Sequence, residues 1–324
     1  MYIILFILGI SLILLGANWL VDGASGIAKK FGLSEFVIGA VIVGIGTSTP
    51  ELVTSLIAAI KGNADITIGN ITGSNIFNTL MILGVTVLIA PIKFTSFNIR
   101  KDIPIAMVAS LLFLIMATDT IINKNGINTI TRIDGLIMLL CFAAYMYYSF
   151  KSGKSSDNES DNLTDNQKDN SNSKTDCNIK LMIFYVIIGL SALIGGGELF
   201  VNSATIIAKK LGVSDSVISM TLMAGGTSLP ELASCVIAAI KKRGQLALGN
   251  VLGSNVSNIL LIIGASSMIT PLKVSQISYF SIIATLVSSI LLFITIYSFK
   301  KKELDRWEGV IFLIIYCVYI YMIL

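Results

Sequence analysis

Two glutamates inside long apolar segments are the residues of this chain whose setting most clearly implies chemistry. Glu51 ends the sequence GTSTPE at 46–51, and Glu231 ends GTSLPE at 226–231, 180 positions later. A charged side chain at the centre of a bilayer costs about 2.5–3.5 kcal/mol even on the mildest scales, and such residues usually lie on ion or proton paths. The two matched carboxylates therefore predict a membrane transporter with a paired acidic site for cations.

Hydroxyl groups and a predicted helix break accompany each glutamate. Thr47, Ser48 and Pro50 precede Glu51. Proline lacks an N–H and clashes with the carbonyl four residues back, so it breaks the helix and frees carbonyls around residues 44–47. In a membrane, freed backbone must line a cavity or contact polar groups. Carbonyls, hydroxyls and a carboxylate are hard oxygen ligands, which suit Na⁺ and Ca²⁺. The second copy offers the same set at Thr227, Ser228, Pro230 and Glu231.

A polar stripe follows each glutamate on the next predicted helix. Its members are spaced four residues apart and share one helical face. They are Asn70, Ser74 and Asn78 in the first copy and Asn250, Ser254 and Asn258 in the second. Ser and Asn in membrane helices often only bridge helices, so each residue taken alone also fits a structural role. The repetition of the whole set, with a glutamate in each copy, favours ion binding.

The composition identifies an integral membrane protein. Hydrophobic residues make up 54% of the chain and charged residues 13%, whereas soluble domains have about 25% charged residues. The absence of histidine removes the commonest transition-metal ligand and the usual proton switch near neutral pH. The four cysteines form no CxxC pair, so they indicate neither a zinc site nor a disulfide framework. We expect no cofactor and no nucleic-acid partner, and we interpret the net charge of +4 through membrane topology.

Ten apolar segments are long enough to span a bilayer, in two sets of five. They fall near 2–21, 35–60, 66–90, 103–122, 133–150, 180–201, 215–240, 246–270, 277–299 and 306–323. The first is interpreted as a transmembrane helix, with a signal peptide as the alternative. The polar tract 151–178 has too few apolar residues for a core and is predicted to be a disordered linker. The prediction is an all-α polytopic membrane protein with a first repeat at 1–150 and a second at 179–324.

The two halves are copies, and their topology is predicted to be inverted. Over 44–61 against 224–241, 11 of 18 positions are identical, and over 69–78 against 249–258, 6 of 10. An odd number of spans per copy turns the second copy upside down in the membrane. With the N-terminus outside, inward loops hold 17 Lys and Arg residues and outward loops hold 6. Because Lys and Arg concentrate in cytoplasmic loops, we expect both termini outside and 151–178 in the cytoplasm of a cell-membrane protein.

These motifs resemble the two alpha repeats of the sodium/calcium exchangers, in the calcium/cation antiporter superfamily. The resemblance rests on GTSTPE with GNITGSNIFN in 44–78 and on GTSLPE with GNVLGSNVSN in 224–258, and it extends over essentially the whole chain. The short linker is similar to that of the prokaryotic branch. The resemblance implies a monomer in the lipid bilayer with broken helices meeting at the midplane. It implies exchange of Na⁺ for Ca²⁺ by alternating access.

The resemblance also implies roles for individual residues. Glu51 and Glu231 would be ligands shared by Ca²⁺ and Na⁺, and Thr47 and Thr227 would complete the Ca²⁺ site. The residues that would complete the Na⁺ sites are Ser48, Ser228, Ser74, Ser254, Asn78 and Asn258, with carbonyls from Gly44 and Ala224. The first helix of each half would slide as a gate.

One position separates branches of this family. Asn258 stands where some prokaryotic relatives and the potassium-dependent branch carry Asp. The resemblance therefore implies transport without K⁺ and a site with two carboxylates.

Other functions remain open at this stage. A proton-coupled cation antiporter on the same fold is the nearest alternative, and a cation channel is an alternative of a different class. An intramembrane enzyme is disfavoured because no nucleophile with a matching acid pair is evident. Asp22 and Glu198 lie near predicted span ends and are interpreted as interfacial or capping charges.

Overall fold

The computed structural model describes residues 2–118, 128–153, 178–211, 224–298 and 302–323, and these are almost entirely helical. Most of the predicted linker lies outside this range. The first half contributes α1 Tyr2–Phe31, α2 Glu35–Thr47, α3 Thr49–Ile60, α4 Ala64–Ile89, α5 Ile103–Met116 and α6 Arg132–Gly153. The second half contributes α7 Ile179–Lys210, α8 Ala224–Gly226, α9 Leu229–Ile240, α10 Gly244–Ile269, α11 Gln276–Ser298 and α12 Arg306–Ile323.

The predicted helix break is present at Ser48. There α2 and α3 meet at a bend of 47°, and Pro50 lies in the first turn of α3. The carbonyl of Gly46, which the missing proline N–H leaves free, instead accepts the Thr49 hydroxyl at 2.7 Å. The second half repeats the arrangement, with Pro230 in the first turn of α9.

Wide π-helical turns interrupt three of the longer helices. They lie at Gly39–Gly44 in α2, Phe77–Ile82 in α4 and Asn258–Ile263 in α10. Turns of this kind often mark functional sites. Here they include Asn78 and Asn258, so the backbone changes its winding at the end of each polar stripe.

Two long helices, α1 and α7, pack against each other along glycines. A Cβ built on Gly16 would lie 2.8 Å from the carbonyl oxygen of Gly189, and one built on Gly9 would lie 3.1 Å from that of Gly196. Residues later in α1 contact residues earlier in α7, so the two helices are antiparallel. Small residues let the backbones approach this closely, as is common between membrane helices.

Two short antiparallel ribbons join the halves to each other. β1 Ile92–Lys93 pairs with β4 Glu303–Leu304, and β2 Thr129–Ile130 pairs with β3 Leu272–Lys273. Each ribbon takes one strand from each half. Exchanging the halves would therefore convert one ribbon into the other.

The innermost helices are the ones that carry the polar stripes. In the most apolar window of α10, 94% of the residues are buried, and in that of α4, 72%. The corresponding fractions are 28% in α1 and 22% in α7, which leaves much of their apolar surface for lipid. Placing α4 and α10 at the centre surrounds their Asn and Ser residues with protein.

Fewer described helices have the length and composition of a membrane span than the ten that the sequence predicts. Six described helices are long and apolar enough to cross a membrane, or seven if the bent pair Glu35–Thr47 and Thr49–Ile60 is one span. The described parts of other predicted spans are shorter: α5 has 14 residues and α9 has 12. The count of ten stays a prediction.

Candidate ion-binding site

The two glutamates are fully buried, each in the first turn of the helix that follows a break. Glu51 is 0% exposed and Glu231 is 1% exposed. The N-terminal end of a helix carries partial positive charge from its unpaired N–H groups, so α3 and α9 favour a carboxylate at these positions. The break in each half thus provides the glutamate and also a helix N-terminus whose partial positive charge stabilises the carboxylate.

The two breaks face each other and exchange hydrogen bonds. Ser48 Oγ donates to Glu231 Oε1 at 3.0 Å, and Ser228 Oγ donates to Glu51 Oε1 at 2.9 Å. Each serine therefore contacts the glutamate of the opposite half. This reciprocal pair brings carboxylates separated by 180 positions into one site.

Several oxygen atoms in this region accept no hydrogen bond from any described residue. They are Glu51 Oε2, Glu231 Oε2, Asn78 Oδ1, Asn258 Oδ1 and the hydroxyl oxygen of Thr227. Buried polar atoms almost always have partners in native proteins, because an unpartnered one loses its hydration without compensation. A set of buried oxygens, two of them on carboxylates, is what a desolvated cation requires.

Two further asparagines hold the amide groups so that their oxygens stay free. Asn78 Nδ2 donates to Asn255 Oδ1 at 3.2 Å, and Asn258 Nδ2 donates to Asn75 Oδ1 at 3.0 Å. The sequence interpretation assigned no role to Asn75 and Asn255. The available signal was their repetition at an offset of 180, one residue after each stripe serine.

The two serines of the polar stripes, Ser74 and Ser254, differ in their hydrogen-bond partners. Ser74 Oγ lies 3.1 Å from Ser228 Oγ and accepts from Asn258 Nδ2 at 3.2 Å, within the glutamate network. Ser254 Oγ instead donates to the Gly44 carbonyl at 3.1 Å. The predicted ligand carbonyl of Gly44 is therefore already hydrogen-bonded, also by the N–H of Ser48 at 3.1 Å.

The two predicted threonine ligands also differ. The Thr47 hydroxyl is buried and bonds the Val43 carbonyl at 3.0 Å, with Asn250 Oδ1 at 3.3 Å. The Thr227 hydroxyl makes no hydrogen bond of regular geometry with a described residue, although it lies close enough to interact with the Glu51 carboxylate. Ala224 is described by its backbone alone, at the start of α8, and its proposed carbonyl ligand stays a prediction.

The carboxylates have no basic partner among the described residues. The ion pairs of the described residues lie elsewhere, between Lys241 and Asp22 and between Arg243 and Glu35. Within the described ranges, no group of three or more His, Cys, Asp or Glu residues is placed to hold a metal. The candidate site thus combines two acids with neutral amide and hydroxyl oxygens, a ligand set that suits hard cations.

A cavity of about 390 Å³ adjoins this network, between α3, α7 and the break of the second half. Its polar lining includes Thr49, Thr227, Glu198 and Asn202. The interpretation of Glu198 as a span-end charge stays a prediction, although α7 itself continues to Lys210. Glu198 thus lies twelve residues inside the helix and faces the cavity.

Comparison with known proteins gives one consistent result. The sequence pattern of the family described as sodium/calcium exchanger protein matches residues 1–151 and 181–324. The chain is 34% identical to sodium/calcium exchanger MaX1 of Methanosarcina acetivorans, over 98% of this chain and 97% of that protein. It is 36% identical to an uncharacterized membrane protein of Methanocaldococcus jannaschii, over 97% and 95%.

A solved structure matches over nearly the same extent. The structure of the sodium-calcium exchanger NCX_Mj, soaked with Na⁺ and no Ca²⁺, superposes with a TM-score of 0.83 at 32% identity. The match covers 99% of this chain and 98% of that one. The similarity therefore includes both halves and the whole helical framework.

Proposed function

Because the chain belongs to the sodium/calcium exchanger family, we propose that it moves Ca²⁺ in exchange for Na⁺ by alternating access, without K⁺. The family makes the chain a multi-pass membrane protein and a cation/Ca²⁺ antiporter. The coupling ion, the conformational cycle and the indifference to K⁺ are the proposed parts.

The observation that carries this proposal is the set of buried oxygens without donors around Glu51 and Glu231. Two carboxylates offset the charge of one Ca²⁺, and the same oxygens suit Na⁺, which is similar in size. The unpartnered oxygens are carboxylate, amide and hydroxyl oxygens, the kinds that coordinate hard cations. We propose that the two ions compete for this site, so that each is released where the other binds.

We further propose ten spans arranged as two inverted repeats, with both termini outside and the 151–178 linker in the cytoplasm. The antiparallel pairing of α1 and α7 supports inversion, as do the two ribbons that exchange strands between halves. The excess of 17 over 6 basic residues supports the orientation. We propose that one copy of the chain suffices, since both halves of the site lie within it.

The absence of a third carboxylate supports transport without K⁺. Asn258 is fully buried and its amide is held by Asn75 and Ser74. It adds a neutral oxygen to the site and no negative charge. With two charges available, the site balances one Ca²⁺ and has none left for an additional monovalent ion.

Flux measurements in proteoliposomes test the proposal against its rivals. Vesicles loaded with Na⁺ are expected to accumulate ⁴⁵Ca²⁺ at fixed pH, equally in choline and in K⁺ media. Accumulation that needs only a pH gradient would indicate a proton-coupled antiporter. Strict dependence on K⁺ would refute the K⁺ assignment, and unitary conductance in planar bilayers would indicate a channel.

A further inference from the structure

The cavity beside the site lies toward one face of the membrane. α3 runs from the break at Ser48 toward Lys61, and its lining residues, Thr49 to Thr54, occupy the first turns beyond the break. α7 runs toward Lys210, and its lining residues begin at Ile194, at its midpoint. Lys61 and Lys210 belong to the outer face in the proposed orientation. The cavity therefore extends outward from the site.

Glu198 brings a charge into this cavity that nothing in the described chain neutralises. Its side chain lines the cavity, and no described residue forms an ion pair or hydrogen bond with it. An unpaired carboxylate within a membrane helix is too costly unless water reaches it. The position of Glu198 thus indicates a hydrated passage next to the dry site of Glu51 and Glu231.

The matching positions on the inner side have a different charge arrangement. With the offset of 180, Glu198 and Asn202 of α7 correspond to Asn18 and Asp22 of α1. Asp22 Oδ1 accepts a hydrogen bond from Lys241 Nζ at 2.6 Å, so its charge is compensated. The same lysine donates to the Asn18 carbonyl at 3.4 Å and ties α1 to the end of α9. Of these four matched positions, Glu198 is therefore the one with an acid that no described ion pair compensates.

We propose that Glu198 is a specificity-determining residue that draws hydrated cations, divalent ones above all, into the outer passage. This inference rests on the proposed function, since it assumes that cations reach the paired glutamates from the outer face. A passage lined by one sign of charge raises the local concentration of the opposite ion. The enrichment is exponential in ion charge, so the factor for Ca²⁺ is the square of the factor for Na⁺.

Transport from the two membrane faces distinguishes this role from a structural one. Right-side-out vesicles of bacterial membrane containing the chain present the outer face to added ions, and everted vesicles present the inner face. In right-side-out vesicles, Glu198→Gln is expected to raise the Ca²⁺ concentration for half-maximal uptake about fourfold to tenfold. The Na⁺ concentration for half-maximal Ca²⁺ release should rise only by the square root of that factor. The maximal rate and both everted-vesicle values should stay unchanged.

Two matched variants keep the test decisive. Glu198→Asp preserves the charge and is expected to restore the wild-type affinity. Asn202→Asp adds an acid one turn along the same cavity and should lower the half-maximal Ca²⁺ concentration, a gain that misfolding cannot produce. Added choline chloride should reduce every difference, because salt screens exposed charge.

The outcomes that would overturn the inference are specific. Equal shifts from both faces, equal factors for Ca²⁺ and Na⁺, or no shift while Asn202→Asp is also neutral would each exclude an attracting role for Glu198. If the wild type transports Ca²⁺ with another coupling ion, the proposed function fails. The comparison of Ca²⁺ affinity at the two faces then still decides the role of Glu198.

Discussion

At the scale of residues, the site is defined by which oxygens are left without donors. Of the four carboxylate oxygens of the two glutamates, only the Oε1 atoms accept hydrogen bonds from Ser48 and Ser228. The Oε2 atoms stay free, as do the amide oxygens of Asn78 and Asn258. In a buried region this arrangement is unfavourable without a cation, because desolvated charge is then uncompensated. This hydrogen-bond pattern is therefore the one that we expect of a site that binds and releases cations.

The first prediction concerns the charge of the two glutamates. Glu51→Gln and Glu231→Gln should each reduce Na⁺-driven ⁴⁵Ca²⁺ flux at least about 100-fold, since one carboxylate cannot balance Ca²⁺. The ion-free variants should melt at or above the wild-type temperature, because a buried unpaired charge is removed. Ca²⁺ should raise the melting temperature of the wild type and not of the variants, since a ligand stabilises only the form it binds.

Glu308 offers a matched control for these variants. Its side chain is 2% exposed at the start of α12, and its Oε2 accepts the N–H of Asp305 at 2.6 Å. Glu308→Gln removes a buried glutamate outside the site and should retain exchange and stabilisation by Ca²⁺. Near-normal Ca²⁺ flux in Glu51→Gln or Glu231→Gln would refute the site assignment.

At the scale of elements, two devices position the site. Breaks at the prolines bring the first turns of α3 and α9 to the level of the polar stripes on α4 and α10. The close glycine packing of α10 against α2 then fixes the depth, since a Cβ on Gly253 would lie 2.3 Å from the Ala40 carbonyl oxygen. At Gly16 and Gly189, α1 and α7 are in contact without interlocking side chains. A contact of this kind suits two helices that slide as a pair against the rest of the protein.

The second prediction tests that contact with two adjacent glycines of α7. A Cβ on Gly196 would lie 2.8 Å from Leu12 Cβ and 3.0 Å from the Gly9 carbonyl oxygen. Gly196→Ala should therefore force α1 and α7 apart, lower the melting temperature by several degrees and slow exchange. Overpacking of this kind typically costs about 1–3 kcal/mol.

The neighbouring glycine provides the control. No described atom lies within 4 Å of a Cβ built on Gly195. Gly195→Ala should leave transport intact and raise the melting temperature slightly, because alanine in a helix is favoured over glycine by about 0.5–1 kcal/mol. Equal effects of the two substitutions would contradict the packing of α1 against α7.

At the scale of the whole molecule, many contacts of the chain recur when its two halves are exchanged with each other. The reciprocal serine–glutamate bonds, the paired asparagines and the two ribbons all follow this exchange. The described cavity, in contrast, adjoins the site on one side only, between α3, α7 and the break of the second half. The ends that the proposed orientation places inside carry the ion pairs Asp22–Lys241 and Glu35–Arg243. Their counterparts in the repeat include Asn202 and Asn63, which cannot form the same pairs.

The third prediction tests inversion and orientation together. Lys93 and Lys273 are equivalent residues of the two halves and both are exposed. Inversion places them on opposite sides of the membrane, with Lys273 outside. In a variant whose native cysteines are replaced by serine, Lys273→Cys should react with an impermeant maleimide in right-side-out vesicles. Lys93→Cys should react only after permeabilisation.

Detergent-solubilised protein serves as the control for this labelling, since both cysteines should then react. Labelling of Lys93→Cys alone in sealed vesicles would show that the orientation is the opposite of the proposed one. Labelling of both in sealed vesicles would contradict inversion.

The sequence by itself determined the acids, the breaks and the family. Pro50 and Pro230 interrupt their helices for local steric reasons, and the two matched motifs carry the same glutamate 180 positions apart. The polar stripes follow from helical periodicity alone. None of these inferences needs knowledge of what lies across the molecule.

Only the tertiary structure decided which atoms are free to bind an ion. The Gly44 carbonyl is occupied by Ser254, while the Asn78 oxygen is left free because its amide nitrogen bonds Asn255. It also placed Glu198 in the lining of a cavity, which its predicted position near a span end did not reveal. The physical reason is that these partners come from the opposite half of the chain. A hydrogen bond across about 180 residues leaves no periodic trace near either partner in the sequence.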